Sequence, residues 1–140
     1  RDRFNLEFKR STRGPYPGLE AQTLDEVETR GLLSQTLFSS FFDPVLATLR
    51  ELSAAARIAL LISARFPERW PERARAVGAE ALNPEDALVD ADLVARAHDE
   101  GLAVYVFTVD DPRRMEELLG WGVDGLFTNR PDRMRALVDA

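Results

Sequence analysis

Strand-like and helix-like stretches alternate about six times along the 140 residues, and that rhythm constrains the fold more than any other feature of the chain. Phe4, Leu6 and Phe8 alternate with Asn5, Glu7 and Lys9, the period of an extended strand with one face for packing and one for chemistry. The stretch from Ser11 to Gly18 contains Pro15-Tyr16-Pro17-Gly18 and cannot continue that strand, because proline fixes φ and lacks a donor. A helix is predicted from near Leu19, or from the capping-box spacing of Thr23 and Glu26, to a stop at Gly31. Thr36 to Phe41 reads as a strand. Asp43-Pro44 then opens a helix, with Asp as the cap and Pro in the first turn, that buries Val45, Leu46, Leu49 and Leu52.

Arg57 to Ser63 is an almost unbroken apolar run, the composition of a strand covered on both faces. A short helix containing Trp70 leads to Gly78, and Glu80 to Asn83 reads as a brief strand closed by Pro84. Asp90 to Glu100 is helical in period, with Leu93, Val94 and Ala97 on one face and Gly101 as the stop. Ala103 to Val109 is the strongest strand; Asp110 and Asp111 are expected to cap the next helix, which starts at Asp111-Pro112 and ends near Gly120. Val123 to Thr128 reads as the last strand and Pro131 to Val138 as the last helix. Repetition at βα spacing predicts an α/β fold with a parallel sheet, and strand count alone does not separate an open doubly wound sheet from part of a closed barrel.

The totals narrow the function classes. The length suits one domain, and a net charge of −6 argues against a nucleic-acid or anionic-membrane surface. No apolar run reaches membrane-span length, and there is no signal-peptide pattern, so a cytoplasmic location is the expectation. The absence of cysteine removes disulfides, thiolate nucleophiles and cysteine-type zinc sites. A strand pattern begins within a few residues of Arg1, which reads as a segment whose upstream part is missing.

Glu7 and Lys9 fall at the carboxyl end of the first strand, where parallel α/β folds bind their ligands. Lys9 is the sole lysine among 18 basic residues, and its compact ammonium suits a point contact to phosphate or to a carboxylate. An internal structural pair is the competing reading of the two. Tyr16, on the loop that follows, could close over a substrate or stand in solvent. His98, near the end of a predicted helix, reads as a flank histidine and is assigned no site.

Several segments in order resemble one family, the glycerophosphodiester phosphodiesterases. Asn5-Leu6-Glu7-Phe8-Lys9 is similar to the motif N-I-E-x-K, and Ser39-Ser40-Phe41 with Asp43 to a Ser-Phe strand end. Leu82-Asn83-Pro84 matches L-N-P, and Phe107-Thr108-Val109-Asp110-Asp111-Pro112 resembles W-T-V-N-D-P. Gly122-Val123-Asp124-Gly125-Leu126-Phe127-Thr128-Asn129-Arg130-Pro131 resembles G-V-D-G-I-I-T-D-x-P. Three departures stand out: Phe107 in place of Trp, Asp110 in place of Asn, and Asn129 in place of Asp. The family's H-R-G segment, Glu-x-Asp pair and second histidine have no counterpart in residues 1–140.

The resemblance implies a partial TIM barrel of the phospholipase-C-like phosphodiesterase type, with residues 1–140 as its carboxyl-terminal portion, lacking the N-terminal strands. It implies hydrolysis of glycerophosphodiesters to sn-glycerol 3-phosphate and an alcohol, with a divalent metal, Ca²⁺ or Mg²⁺, and two histidines as general acid and base. Glu7 would be a metal ligand, Lys9 a phosphate contact and Phe107 an aromatic wall of the substrate pocket. A whole barrel of this type needs ~250 residues. The expected partners are therefore a small-molecule glycerophosphodiester and the missing N-terminal part of the barrel, with self-association through open sheet edges as a further expectation and the chain alone inactive. The alternative is a non-catalytic half-barrel serving as a binding or assembly module. A nucleotide-binding domain is disfavoured, since no G-x-G-x-x-G or P-loop pattern follows any strand.

Overall fold

The computed structural model describes residues 3–9 and 18–138, except for the side chain of residue 138. Tyr16 and the rest of its proline-rich loop up to Pro17 lie outside the described residues. The chain divides into two compact units, one of Arg1–Leu61 with Arg69–Glu80 and one of Ile62–Glu68 with Ala81–Ala140. Among the described residues six strands alternate with six α-helices, every described strand pairing is parallel, and the fold class is α/β, that of a partial TIM barrel.

In the first unit β1 (Phe4–Glu7) pairs with β2 (Thr36–Ser40), and β2 with β3 (Arg57–Ile62), whose last residue belongs to the second unit. The helices are α1 (Leu19–Thr29), α2 (Asp43–Leu52) and α3 (Trp70–Val77). Register places Phe38 beside Ile58 and Ser40 beside Leu60, and α2 lies on β2, so Phe38, Leu46, Leu49, Ile58 and Leu60 are sealed completely from water. This is the layer where the period-2 and period-3.6 patterns of the sequence meet.

The first strand departs from expectation. Its packing face was expected to bury Phe4, Leu6 and Phe8, but Phe4 is 42% and Leu6 38% exposed, and only Phe8 is buried, its ring 6.2 Å from that of Phe38. The reason is position: among the described residues β1 has a strand neighbour on one side only, so its early residues receive less cover than those of an inner strand. Helix α1 begins at Leu19 behind a left-handed Gly18, which leaves Thr23 inside the helix rather than capping it. Asp43 likewise does not cap α2. Phe42 takes that place without a side-chain bond, and the Asp43 carboxylate instead accepts two close bonds from Arg73 of α3, from Nε at 2.9 Å and Nη2 at 2.9 Å.

Arg50 of α2 binds four carbonyls at once. Nη1 donates to Ser53 and Ala54 just past its own helix, while Nε and Nη2 donate to Val77 and Gly78 at the end of α3. Both helix ends carry unpaired carbonyls and partial negative charge, which one guanidinium fork satisfies.

In the second unit β4 (Ala81–Pro84) pairs with β5 (Ala103–Val106), and β5 with β6 (Gly125–Leu126). The helices are α4 (Ala91–Asp99), α5 (Pro112–Gly120) and α6 (Pro131–Val138). Leu82, Val94, Ala97, Val104, Val106, Met115 and Leu118 form a core with 0–1% exposure. Tyr105 and Gly125 are register partners, and a Cβ at Gly125 would stand 2.8 Å from the Tyr105 ring, so this strand needs glycine for the ring to lie across it.

Strands β5 and β6 are shorter than the 103–109 and 123–128 expected, while β4 runs through the proline expected to close it. Beyond Val106 the parallel pairing continues for one isolated bridge, Phe107 to Glu85: the Phe107 N–H donates to Pro84 O at 3.1 Å, and Phe107 O accepts from the Asp86 N–H at 2.7 Å. Proline is tolerated at the end of β4 because its carbonyl alone is asked for. Asp90 caps α4 through the Leu93 N–H, and Asp111 caps α5 through the Arg113 N–H. Asp110, expected to share that role, does something else. Among the described residues no helix is long and apolar enough to cross a membrane.

Candidate functional site

The carboxyl ends of the strands carry the candidate residues of each unit. In the first unit two buried serines organise the end of β1. Ser39 is the register partner of Glu7; its carbonyl accepts from the Phe8 N–H at 2.8 Å and its hydroxyl donates to Asn5 Oδ1 at 2.7 Å. Ser40 donates to the Phe8 carbonyl at 3.0 Å and accepts from the Phe42 N–H at 3.0 Å. These bonds fix the backbone on either side of Glu7 and Lys9, and they explain why a fully buried pair of hydroxyls is not costly. The bracing role of Ser39 and Ser40 is additional to the resemblance of Ser39-Ser40-Phe41 to a Ser-Phe strand end. The available signal was two small polar residues closing an otherwise apolar strand.

Glu7 and Lys9 are both exposed at this end of the strand, and among the described residues neither makes an ion pair. The carboxylate and the ammonium are thus presented to solvent on a braced backbone. Glu7 is a hard oxygen donor of the kind Ca²⁺ and Mg²⁺ accept. It is a single ligand, however: no group of three or more His, Cys, Asp or Glu side chains able to hold a metal occurs among the described residues.

In the second unit Phe107 follows β5 and is half-buried, bridged to Glu85 after β4. The Glu85 carboxylate accepts from the Ala64 N–H at 2.8 Å and so pins the loop after β3. Asn83, of the Leu-Asn-Pro segment, is completely buried, and among the described residues neither its Nδ2 nor its Oδ1 has a partner. Such a double orphan is rare in native cores.

Asp110 ties the loop after β5 to the loop after β6. Its Oδ1 accepts from the Thr128 hydroxyl and from the Asn129 N–H, each at 2.8 Å, and Asn129 Nδ2 lies 3.5 Å from Oδ2. The Arg133 guanidinium donates to the Asp110 carbonyl at 2.9 Å. The Thr128 hydroxyl first, then the Asn129 N–H, hold the Asp110 carboxyl below the ordinary aspartate range.

His98 stands apart from these ends. Its Nε2 is 2.9 Å from Asp124 Oδ2, and that oxygen also accepts from the Val104 N–H near the start of β5. The sole histidine therefore belongs to the amino-terminal end of the strands of its unit, the face associated with stability rather than catalysis.

A family model described as the glycerophosphoryl diester phosphodiesterase family matches residues 7–133. A Bacillus altitudinis protein named glycerophosphodiester phosphodiesterase is 30% identical over 131 residues, covering 92% of this chain and 53% of its own length. The solved structure of an Oleispira antarctica phosphodiesterase, in complex with the product sn-glycerol-3-phosphate, is 28% identical with a TM-score of 0.77, over 97% of this chain and 55% of that one. A Thermotoga maritima glycerophosphodiester phosphodiesterase shares the fold at 18% identity, with a TM-score of 0.71, over 96% of this chain and 56% of its own. The chain thus spans about half the length of the curated relatives it matches. The family match runs from Glu7 to Arg133, nearly the whole chain, and the chain belongs to the glycerophosphoryl diester phosphodiesterase family.

Proposed function

We propose that this chain supplies one part of the active centre of an enzyme that hydrolyses glycerophosphodiesters to sn-glycerol 3-phosphate and an alcohol. The observation that carries the reading is the exposed Glu7 and Lys9 at the end of β1, on a backbone fixed by Ser39 and Ser40, within a family match that begins at Glu7. Glu7 is one carboxylate ligand for Ca²⁺ or Mg²⁺, with the remaining ligands outside the described residues. When bound, such an ion supplies neutralisation of phosphate charge. Lys9 contacts a phosphate oxygen and stabilises the charge that develops there as the diester is cleaved. Phe107 forms an apolar wall that excludes water from one side of the substrate. Proton transfer needs groups other than His98, whose ring is engaged by Asp124 near the start of β5.

The 140-residue chain alone is expected not to release choline from glycerophosphocholine with Ca²⁺ or Mg²⁺ present. Joined to the remaining half of a family barrel it is expected to do so, and there Glu7→Gln or Lys9→Met should lower kcat/KM by about 100-fold or more. Chelator-sensitive turnover by the chain alone would overturn this division of roles. Full turnover by the Glu7→Gln enzyme would overturn the site.

One observation favours a second reading, a non-catalytic half-barrel that assembles through its edge. Exposed Phe4 and Leu6 lie on β1, the edge strand among the described residues, and Leu6, Leu19, Val27 and Leu32 line a groove of about 390 Å³ beside α1. Concentration-dependent sedimentation, with saturable phosphate binding and no hydrolysis in the joined protein, would favour that reading.

A further inference from the structure

Strand β1 carries two patterns that match when the strand is turned end for end against itself. The Phe8 N–H donates to Ser39 O of β2. Backbone groups alternate in direction along a strand, so those of Phe4 and Leu6 also face β2, while those of Arg3, Asn5 and Glu7 face the other side. Among the described residues no strand lies on that side. Side chains alternate as well: Phe4 and Leu6 share the face that holds the groove beside α1, and Arg3, Asn5 and Glu7 share the opposite one. Arg3 and Glu7 are exposed, and among the described residues neither makes an ion pair.

We propose that this edge pairs antiparallel with the same edge of a second copy of the chain, about a two-fold axis at Asn5. In that register the two copies of Asn5 exchange backbone hydrogen bonds, Phe4 of each copy lies opposite Leu6 of the other, and Arg3 lies opposite Glu7. Opposite residues share a face, so apolar meets apolar on the α1 side and guanidinium meets carboxylate on the other. A slip of one residue sets Phe4 against Glu7 and Leu6 against Asn5, and it asks for backbone groups that β2 already holds. Phe4 of one copy also comes over the groove that Leu6, Leu19, Val27 and Leu32 line in the other. Because both patterns are complementary to their own reverse, the contact closes at two chains. This deepens the second reading above by naming its partner and register, and it concerns the chain by itself rather than joined to the remaining half of a barrel.

The test is sedimentation equilibrium of the 140-residue chain over about 1–500 μM, where the mass is expected to rise from one chain to two and no further. Arg3→Glu turns two symmetry-related pairs repulsive and is expected to raise the dimer dissociation constant about 5-fold or more. Arg3→Glu combined with Glu7→Arg restores both pairs with the signs exchanged and should return within about 2-fold of the parent. A monomer at every concentration, growth past two chains, or a double exchange no better than Arg3→Glu would overturn the proposal. The chain has no cysteine, so Asn5→Cys gives an independent readout. Position 5 of the two copies is about 5.5 Å apart in this register, within disulfide reach, and air oxidation should yield a covalent dimer faster than Thr29→Cys at an exposed helix position. Equal rates at 5 and 29 would overturn the register. None of these readouts involves phosphate or hydrolysis, which test the two readings of function, so failure here is distinguishable from failure there.

Discussion

Replacing Arg50 tests whether the first unit is held together at its helix ends. The guanidinium bonds Val77 O at 3.2 Å, Gly78 O at 2.9 Å, Ser53 O at 3.3 Å and Ala54 O at 2.7 Å, two of these bonds lying in exposed positions. Hydrogen bonds to a charged donor are worth roughly 1.5–3 kcal/mol each when water is excluded. Here water can replace the donor at Ala54 and Gly78, so those two contribute nearer the roughly 0.3–1 kcal/mol of an exposed cation at a helix carboxyl end. The Val77 and Ser53 bonds are long, which holds them at the low end as well. A net loss of about 2 kcal/mol is therefore expected for Arg50→Met, which keeps the apolar stem and removes only the fork. In a chain of this size that corresponds to a Tm lower by about 6 °C, with the urea m-value unchanged. Arg50→Lys retains the charge but brings one point donor to carbonyls in two separate segments, so it should recover less than half of the loss. A loss under about 0.5 kcal/mol in Arg50→Met, or full stability in Arg50→Lys, would refute the reasoning.

Two further outcomes follow from the second unit. Asp110 titrates below the ordinary aspartate value of 3.8, so its contribution is complete above that pH and is lost as pH falls through the lower folded-state value. Urea midpoints of the parent should rise with pH through this acid window more steeply than those of Asp110→Asn, and equal slopes would contradict the hydrogen-bond geometry. Asn83 buries an amide whose two polar atoms have no partner among the described residues, a desolvation cost of about 1–3 kcal/mol, so Asn83→Leu should raise the urea midpoint. A lowered midpoint would mean that the amide has a partner in solution.

Local pattern carried much of the architecture. Alternation at positions 4–9, the apolar run at 57–62 and the punctuation by Gly31, Gly78 and Gly101 mark elements that the structure forms, because period and backbone restriction act within a few residues. The expected capping role of Asp111 is equally local, its carboxylate reaching an N–H two residues on, and Asp90, read as the first residue of its helix, caps it through the N–H three residues on.

What the sequence by itself determined is the order of strands and helices and the place of Glu7 and Lys9 at the carboxyl end of the first strand, since each depends only on near neighbours, whereas Phe107, expected inside a strand reaching Val109, lies just past the end of β5. Tertiary structure alone decided which polar groups meet. Asp43 is claimed by Arg73 thirty residues away, Asp110 by Thr128 and Asn129, and the Ser40 hydroxyl by the Phe8 carbonyl, while Phe4 and Leu6 stay exposed on an edge. The physical reason is that a carboxylate near a helix start can be satisfied by its own backbone or by a distant guanidinium, and only the folded arrangement of strands brings the second option within about 3 Å.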